Sequence, residues 1–358
     1  MIGALARVPA YQAFRRLGWP PRLPWSLCIH ITNACNSRCR TCRIWEVRVQ
    51  ELSLEEWVRV FPSLRGAVRF LTIAGGEPFL SEHLVELTQQ FYAQVRPQFI
   101  NIPTNGLLTQ AAVKKVTAIC QGCPEAQVTI NLSLDGIGPD HDQIRNVPGN
   151  WERALNTYRA LKALPHPNLR VGIHTVISRF NVPQIPVIYE YVQRELQPAS
   201  HNFEVAEERV ELNNQGTGIA PSLEEYSQAV AFLASQPSNN GSSTLSRVVR
   251  AFRREYYRLT QKTLEEKRQV IPCYAGFACA SISANGDVSP CCVDRQVMGN
   301  LREADYDFRK VWFSPQAQEI RKPIREGRCY CPLAEVFYSN ILFDPPSLAR
   351  VGLRFLGL

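Results

Sequence analysis

No apolar run in this 358-residue chain reaches the ~18–20 residues that a bilayer-spanning helix needs. Nor is there the basic, apolar and small-residue succession of a secretion signal. Dense basic runs with interleaved aromatics are missing too, so the net charge of +8 reads as a solvated surface and nucleic acid is not expected as a partner. Internal repeats and low-complexity tracts are absent, which leaves a globular chain with room for one large core and a smaller domain. Twelve cysteines in a chain without export features point to metal ligation in a reducing, cytoplasmic compartment rather than to disulfides.

What is present is an alternation of short β-rich runs and amphipathic segments from Trp25 to about residue 215, the pattern of a parallel sheet. SLCIHIT, VRFLTIAGGEP, QFINIPTNG, VTINLSLDG and LRVGIHTVIS read as successive strands, and FEVAEERVEL falls near a sixth. SLEEWVRVFPSL, HLVELTQQFYAQV and NWERALNTYRALKAL carry apolar residues at helical spacing, with Ser53 and Glu56 at capping-box spacing. Each polar or glycine motif follows the carboxyl end of its strand. In a barrel of βα units that edge is where sites are built.

Three cysteines, Cys35, Cys39 and Cys42, stand in C-x3-C-x2-C spacing inside ITNACNSRCRTCRIW. Three thiolates on one loop hold three corners of a four-iron cluster and leave the fourth iron open. A structural zinc site is the alternative, but zinc usually takes four protein ligands in paired spacings, and His30 lies upstream on a strand-like run. Gly75-Gly76-Glu77-Pro78 follows the second strand, Thr104-Asn105-Gly106 the third, and Ser133-Leu134-Asp135-Gly136 the fourth. A glycine pair admits close approach of a ligand, and Glu77 can accept hydrogen bonds from an ammonium group.

These motifs together resemble the radical SAM superfamily. The resemblance implies a partial (β/α)6 TIM-like barrel, an α/β fold, with a [4Fe-4S] cluster on Cys35, Cys39 and Cys42 whose open iron chelates S-adenosylmethionine. It further implies that Gly75, Gly76, Glu77 and Pro78 contact the methionine amine, and that Ser133 and Arg145 serve the carboxylate and ribose. Asn105 and Asp135 are candidates for the pocket wall, with turn and cap roles as the alternative for all of these. His174, on the fifth strand, reads as a core histidine. The mechanism implied is reductive cleavage of SAM by an external one-electron donor, flavodoxin or ferredoxin in type. The resulting radical then abstracts hydrogen from an unactivated carbon.

Cys273, Cys279, Cys291, Cys292, Cys329 and Cys331 form a second group. PCYAGFACASISANGDVSPCC, with MGNL and VWFSPQAQEIR after it, resembles the SPASM or twitch auxiliary-cluster domain. NGD at 285–287 reads as its tight hairpin. That resemblance implies a small cysteine-rich α+β domain holding one auxiliary [4Fe-4S] cluster. Cys273 and Cys291 are its firmest ligands, Cys279, Cys329 and Cys331 compete for the rest, and Cys292 points away; structural zinc is again the alternative. Cys28, Cys120 and Cys123 have no partners in view and read as buried thiols.

The organisation expected is an amphipathic extension over 1–24, the barrel over 25–220 and a helical bridge over 221–268. The auxiliary domain then covers 269–340 and an amphipathic tail 341–358. At the two ends Ile2, Leu5, Val8, Phe14 and Leu17, and Leu348, Val351, Phe355 and Leu356, alternate with arginines. Either these helices dock on the core or they touch an anionic membrane surface peripherally. Only 34 residues precede Cys35, too few for a leader-peptide recognition domain, which lowers a ribosomal peptide as substrate against a small-molecule or lipid-linked one. Glu204, Glu207, Glu208 and Arg209 are either contacts to a polar substrate or surface charges.

Overall fold

The computed structural model describes residues 7–236, 244–293 and 296–356. Ile2, Leu5 and most of the SQPSNNGSST loop lie outside the described residues. Six strands, β1 Ser26–His30, β2 Phe70–Ala74, β3 Phe99–Thr104, β4 Gln127–Ser133, β5 Leu169–Ile177 and β6 His201–Val205, lie side by side in sequence order and all parallel. Three more, β7 Cys279–Ile282, β8 Asp287–Ser289 and β9 Gly299–Asn300, extend the same sheet beyond β1. β7 runs parallel to β1, with Ser26 opposite Cys279, and turns at Gly286 into antiparallel β8.

The sheet's two faces follow from alternation. Ile100, Ile102, Val128, Ile130 and Leu132 are wholly buried on one face. Asn101, Thr129, Asn131 and Ser133 occupy the other and are half-buried. The apolar face packs in one cluster with α2 Leu54–Val60, α3 Leu84–Val95, α4 Thr109–Gly122, α6 Asn150–Lys162 and α7 Ile185–Tyr191, while α5 Pro139–Arg145 precedes α6 in the chain and α1 Val8–Leu17 packs in a separate cluster. Ser53 and Glu56 form the capping box that starts α2, each accepting from the other's backbone N–H. The helical stretch anticipated after residue 220 is α8 Leu223–Ser235 and α9 Thr244–Glu266. The Tyr256 hydroxyl on α9 donates to the Pro332 carbonyl at 3.1 Å, tying that pair to the cysteine-rich segment.

The chain ends with α10 Phe308–Trp312, α11 Pro315–Arg325, α12 Ala334–Phe343 and α13 Pro345–Leu356. Helix α12 runs through the 340/341 boundary drawn from the sequence, so the tail begins inside a helix of the preceding domain. Both terminal helices turn apolar residues inward. Tyr11 and Phe14 of α1 pack with Trp25, Phe277 and Phe343, and Val351 of α13 is buried. Among the described residues no helix is long and apolar enough to cross a membrane.

Candidate active site

The loop after β1 is held in place before any cofactor is considered. Glu51 accepts from the Thr32 hydroxyl at 2.8 Å and the Asn33 N–H at 2.7 Å. From α5, the Arg145 carbonyl receives the Ser37 hydroxyl at 3.2 Å, and the Ile144 carbonyl the Arg40 N–H at 2.9 Å. The glycine pair is explained by the same loop. Gly76 N–H donates to the Thr32 carbonyl at 2.7 Å and Glu77 N–H to the Ala34 carbonyl at 2.8 Å. A Cβ on Gly75 or Gly76 would sit 2.2 Å from the Thr32 or Ala34 carbonyl oxygen, a distance no side chain tolerates.

Glu77 is 1% exposed. Its carboxylate accepts from the Thr104 hydroxyl at 2.9 Å, the Asn105 N–H at 2.8 Å and the Phe79 N–H at 3.2 Å. Burial pushes its pKa up to about 7 against those three donors. This side chain therefore ties the turn after β3 to the turn after β2. Three donors of the protein already use its two oxygens, and the remaining lone-pair capacity is what an ammonium group could take.

A cavity of about 210 Å³ opens where these turns meet. Its lining includes Cys35, Cys39, Cys42, Gly75, Gly76, Glu77, Asn105, Ser133, Asp135 and Arg145. Pro78 is buried beside it. Arg145 pairs with Asp135 at 2.7 Å and points a second nitrogen at the Cys39 sulfur, 3.6 Å away. Burial disfavours the guanidinium's charge, but Asp135 and Cys39 outweigh it, and its pKa is raised. The Asn105 amide lies 3.8 Å from the Cys35 sulfur. Sequence reasoning missed the Asp135–Arg145 pair and the Ser37 hydroxyl, 3.2 Å from the Cys39 sulfur. No spacing rule links them, because a turn and a helix end meet only in the fold.

The far wall comes from β5, β6 and the segment after β6. His174, read as a core histidine, instead lines this cavity and stands 3.4 Å from Glu204. Glu204 and Glu207 share the Arg209 guanidinium at 2.6 and 3.2 Å, and all three line the cavity. Burial opposes ionisation of Glu204, yet Arg209 and His174 hold its pKa at about 2. Burial, only partly offset by Arg209 and reinforced by the Glu204 charge, pushes Glu207 up to about 7. Glu208 faces outward and bonds the Gly216 and Gly218 backbone.

The second group of cysteines surrounds two small hollows that share Cys273, Cys329 and Cys331. Cys291 lines one of them. Cys279 and Cys292 are buried in the adjoining apolar cluster but are not among the lining residues. Cys120 and Cys123 are buried at the end of α4, and Cys28 is buried on β1 near His30.

Comparison with known proteins gives this arrangement its class. Residues 29–192 match the radical SAM superfamily, and residues 273–332 match the SPASM iron–sulfur cluster-binding domain, together more than half of the chain. The chain belongs to the radical SAM superfamily and carries a SPASM domain. It is 26% identical over 328 residues to the AdoMet-dependent heme synthase of Oleidesulfovibrio alaskensis, covering 84% of this chain and 77% of that one. The AdoMet-dependent heme synthase of Methanosarcina barkeri is 23% identical over 326 residues, 87% of each. Among solved structures, native anSMEcpe with bound AdoMet and Cp18Cys peptide shares the fold at a TM-score of 0.58 and 16% identity, covering 94% of this chain and 96% of that one.

The cofactors of this class are a catalytic [4Fe-4S] cluster, SAM and auxiliary cluster iron. The residues present fit them. Among the described residues no three His, Cys, Asp or Glu side chains converge on one ion. The early thiols instead stand around an open cavity, a donor set that suits a polynuclear cluster better than one tetrahedral zinc. Arg145 Nε and Arg209 Nε, on opposite walls, are buried donors without an acceptor in the protein. Such groups cost about 1–3 kcal/mol each unless a ligand supplies one.

Proposed function

We propose that this chain cleaves S-adenosylmethionine reductively and abstracts hydrogen from a carbon of a small polar substrate, with net oxidation or bond formation. A single observation carries the reading: three loop thiols, the diglycine turn, Ser133 and Arg145 line one cavity with a polar wall opposite. When bound, the three-cysteine cluster and SAM supply a 5′-deoxyadenosyl radical from one electron delivered by an external donor such as flavodoxin or ferredoxin.

The chain's own residues hold and orient. Cys35, Cys39 and Cys42 would hold the catalytic iron, while Arg145 and Asn105 direct N–H groups at the Cys39 and Cys35 sulfurs. Gly75 and Gly76 bring the β2 turn against the cysteine loop. Arg145 Nε and the Ser133 hydroxyl, both at the cavity, would receive the methionine carboxylate and the ribose of SAM. Cys273 and Cys291 hold the auxiliary cluster, with Cys279, Cys329 and Cys331, all packed around them, supplying its remaining ligands. Glu204 and Arg209 orient a polar substrate group. Glu207 would hold the proton that oxidation of the substrate sheds, the auxiliary cluster being the one-electron oxidant such a site would supply. A small-molecule substrate is favoured because the heme synthases resemble this chain over most of its length, while the match to SkfB, a sporulation killing factor maturation protein, covers 47% of it.

The test is anaerobic reconstitution followed by incubation with SAM and dithionite. About eight irons per chain and formation of 5′-deoxyadenosine are expected, the iron count following from two four-iron clusters. Replacing Cys35, Cys39 and Cys42 together by Ala abolishes that product. Cys291→Ala leaves SAM cleavage and ends substrate turnover. Undiminished 5′-deoxyadenosine from the triple variant would refute the assignment.

A further inference from the structure

A second cavity, of about 400 Å³, lies at the amino ends of β1 and β2, the edge of the sheet opposite the cysteine loop. Its walls carry Arg7, Arg22, Arg65 and Arg309, contributed by the start of α1, the segment before β1, the loop before β2 and α10. No carboxylate lines it, and among the described residues none of the four guanidinium groups forms an ion pair. Arg7 and Arg309 instead lie over the Trp25 and Phe313 rings, each 5.7 Å from the ring centroid, which fixes their position without cancelling their charge.

Four unneutralised guanidinium groups gathered from separate parts of the chain repel one another unless an anion joins them. Their planar donors suit phosphate oxygens. A free phosphate would need no more than that. The carboxyl end of α1 and the turn after it add something else: Leu17 is 76% and Trp19 72% exposed, and Arg16 beside them is exposed as well. An indole and a leucyl side chain standing out beside arginines are the elements of an interfacial anchor, apolar groups entering the headgroup layer while cations meet phosphate. On the same edge Phe70 and Phe99 stack at 4.6 Å and are each more than a third exposed.

We propose that this cleft binds the phosphates of an anionic phospholipid surface, with Leu17 and Trp19 inserted. The protein would then lie with the amino edge of its sheet on the membrane and its catalytic cavity facing away from it. The contact differs from the one suggested by the amphipathic termini. Tyr11 and Phe14 of α1 are consumed by the core, and it is the carboxyl end of that helix and the turn after it, Leu17 and Trp19, that reach outward. The inference is independent of the reaction proposed above.

The experiment is co-sedimentation of the reconstituted full-length protein with phosphatidylcholine vesicles, with and without phosphatidylglycerol, at low salt. Sedimentation is expected only with phosphatidylglycerol present. Replacing Arg22 and Arg65 by Gln lowers the partition coefficient roughly 25-fold, from about fivefold per basic residue at a charged surface. Trp19→Ala lowers it as well. A control pair of equal charge loss at the carboxyl edge of the sheet, exposed Arg48→Gln with Arg179→Gln, changes it by less than about twofold. Arg22, Arg65 and Trp19 are all exposed, so thermal unfolding of these variants should match the parent. Equal sedimentation with neutral vesicles, equal loss in both arginine pairs, or binding of inorganic phosphate without binding to vesicles would each overturn the proposal.

Discussion

At the scale of single residues, the site is organised by close approach and by buried charge. Gly76 carries no side chain because the Ala34 carbonyl occupies that space. Gly76→Ala should force the β2 turn away from the cysteine loop and cost more than 2 kcal/mol by overpacking, of the order seen for strained core insertions. The measurable sign is loss of the charge-transfer absorbance of the catalytic cluster while the auxiliary cluster keeps its own. Gly352→Ala, in open space on α13, should leave both unchanged. Arg145 is bound more tightly still, since its carboxylate partner is 1% exposed and its neighbours are sulfur.

At the scale of elements, the ends of helices and strands decide what meets what. The capping box of α2 leaves the Glu56 carboxylate free to take a second partner, and Arg302 from the cysteine-rich domain grips it through two nitrogens at 2.7 and 3.0 Å. The Tyr306 hydroxyl adds a third bond at 2.7 Å. Arg302, first among these partners, holds the Glu56 pKa at about 2. Both side chains are only partly covered by the protein, so solvent screening limits the pair. Arg302→Ala should lower stability by about 1 kcal/mol, read as a shift in urea midpoint. Because the folded carboxyl titrates below its ordinary 4.5, this contribution is intact at neutral pH. It fades as pH falls from about 4.5 toward 2, the window in which Arg302→Ala and the parent should converge.

At the scale of the whole molecule, the cysteine-rich segment is not a separate body hung on the barrel. β7 pairs with β1, so the strand that delivers the catalytic cysteines and the strand that leads to Cys291 are neighbours in one sheet. Between the two cysteine sites stand Glu207 and Arg209, whose charges act on Cys331 and Cys292 respectively. Glu207, with its pKa near 7, is neutral below that pH and a carboxylate above it. If it takes the substrate proton, product formed per SAM cleaved rises as pH increases through about 7. Glu207→Gln flattens that rise and lowers coupling roughly 10²-fold, the lower end of what a general base contributes, while leaving 5′-deoxyadenosine formation in place. A profile unchanged in the variant would remove Glu207 from the reaction.

Much of this was readable along the chain, and the division has a physical cause. Strand alternation, the Ser53 capping box, the cysteine spacings and the motifs after each strand are local patterns, expressed within a few residues of one another. They determined the α/β class, the order of the strands, the superfamily and the edge of the sheet on which the site lies. Only the tertiary structure decided what depends on separate segments meeting. It gave Glu77 the further work of clamping Thr104 and Asn105, and brought His174 and Arg209 to the wall opposite the cysteine loop. It also gathered four arginines at the far edge. Those outcomes follow from strand register and from loops closing over long sequence distances, which no short stretch of residues encodes.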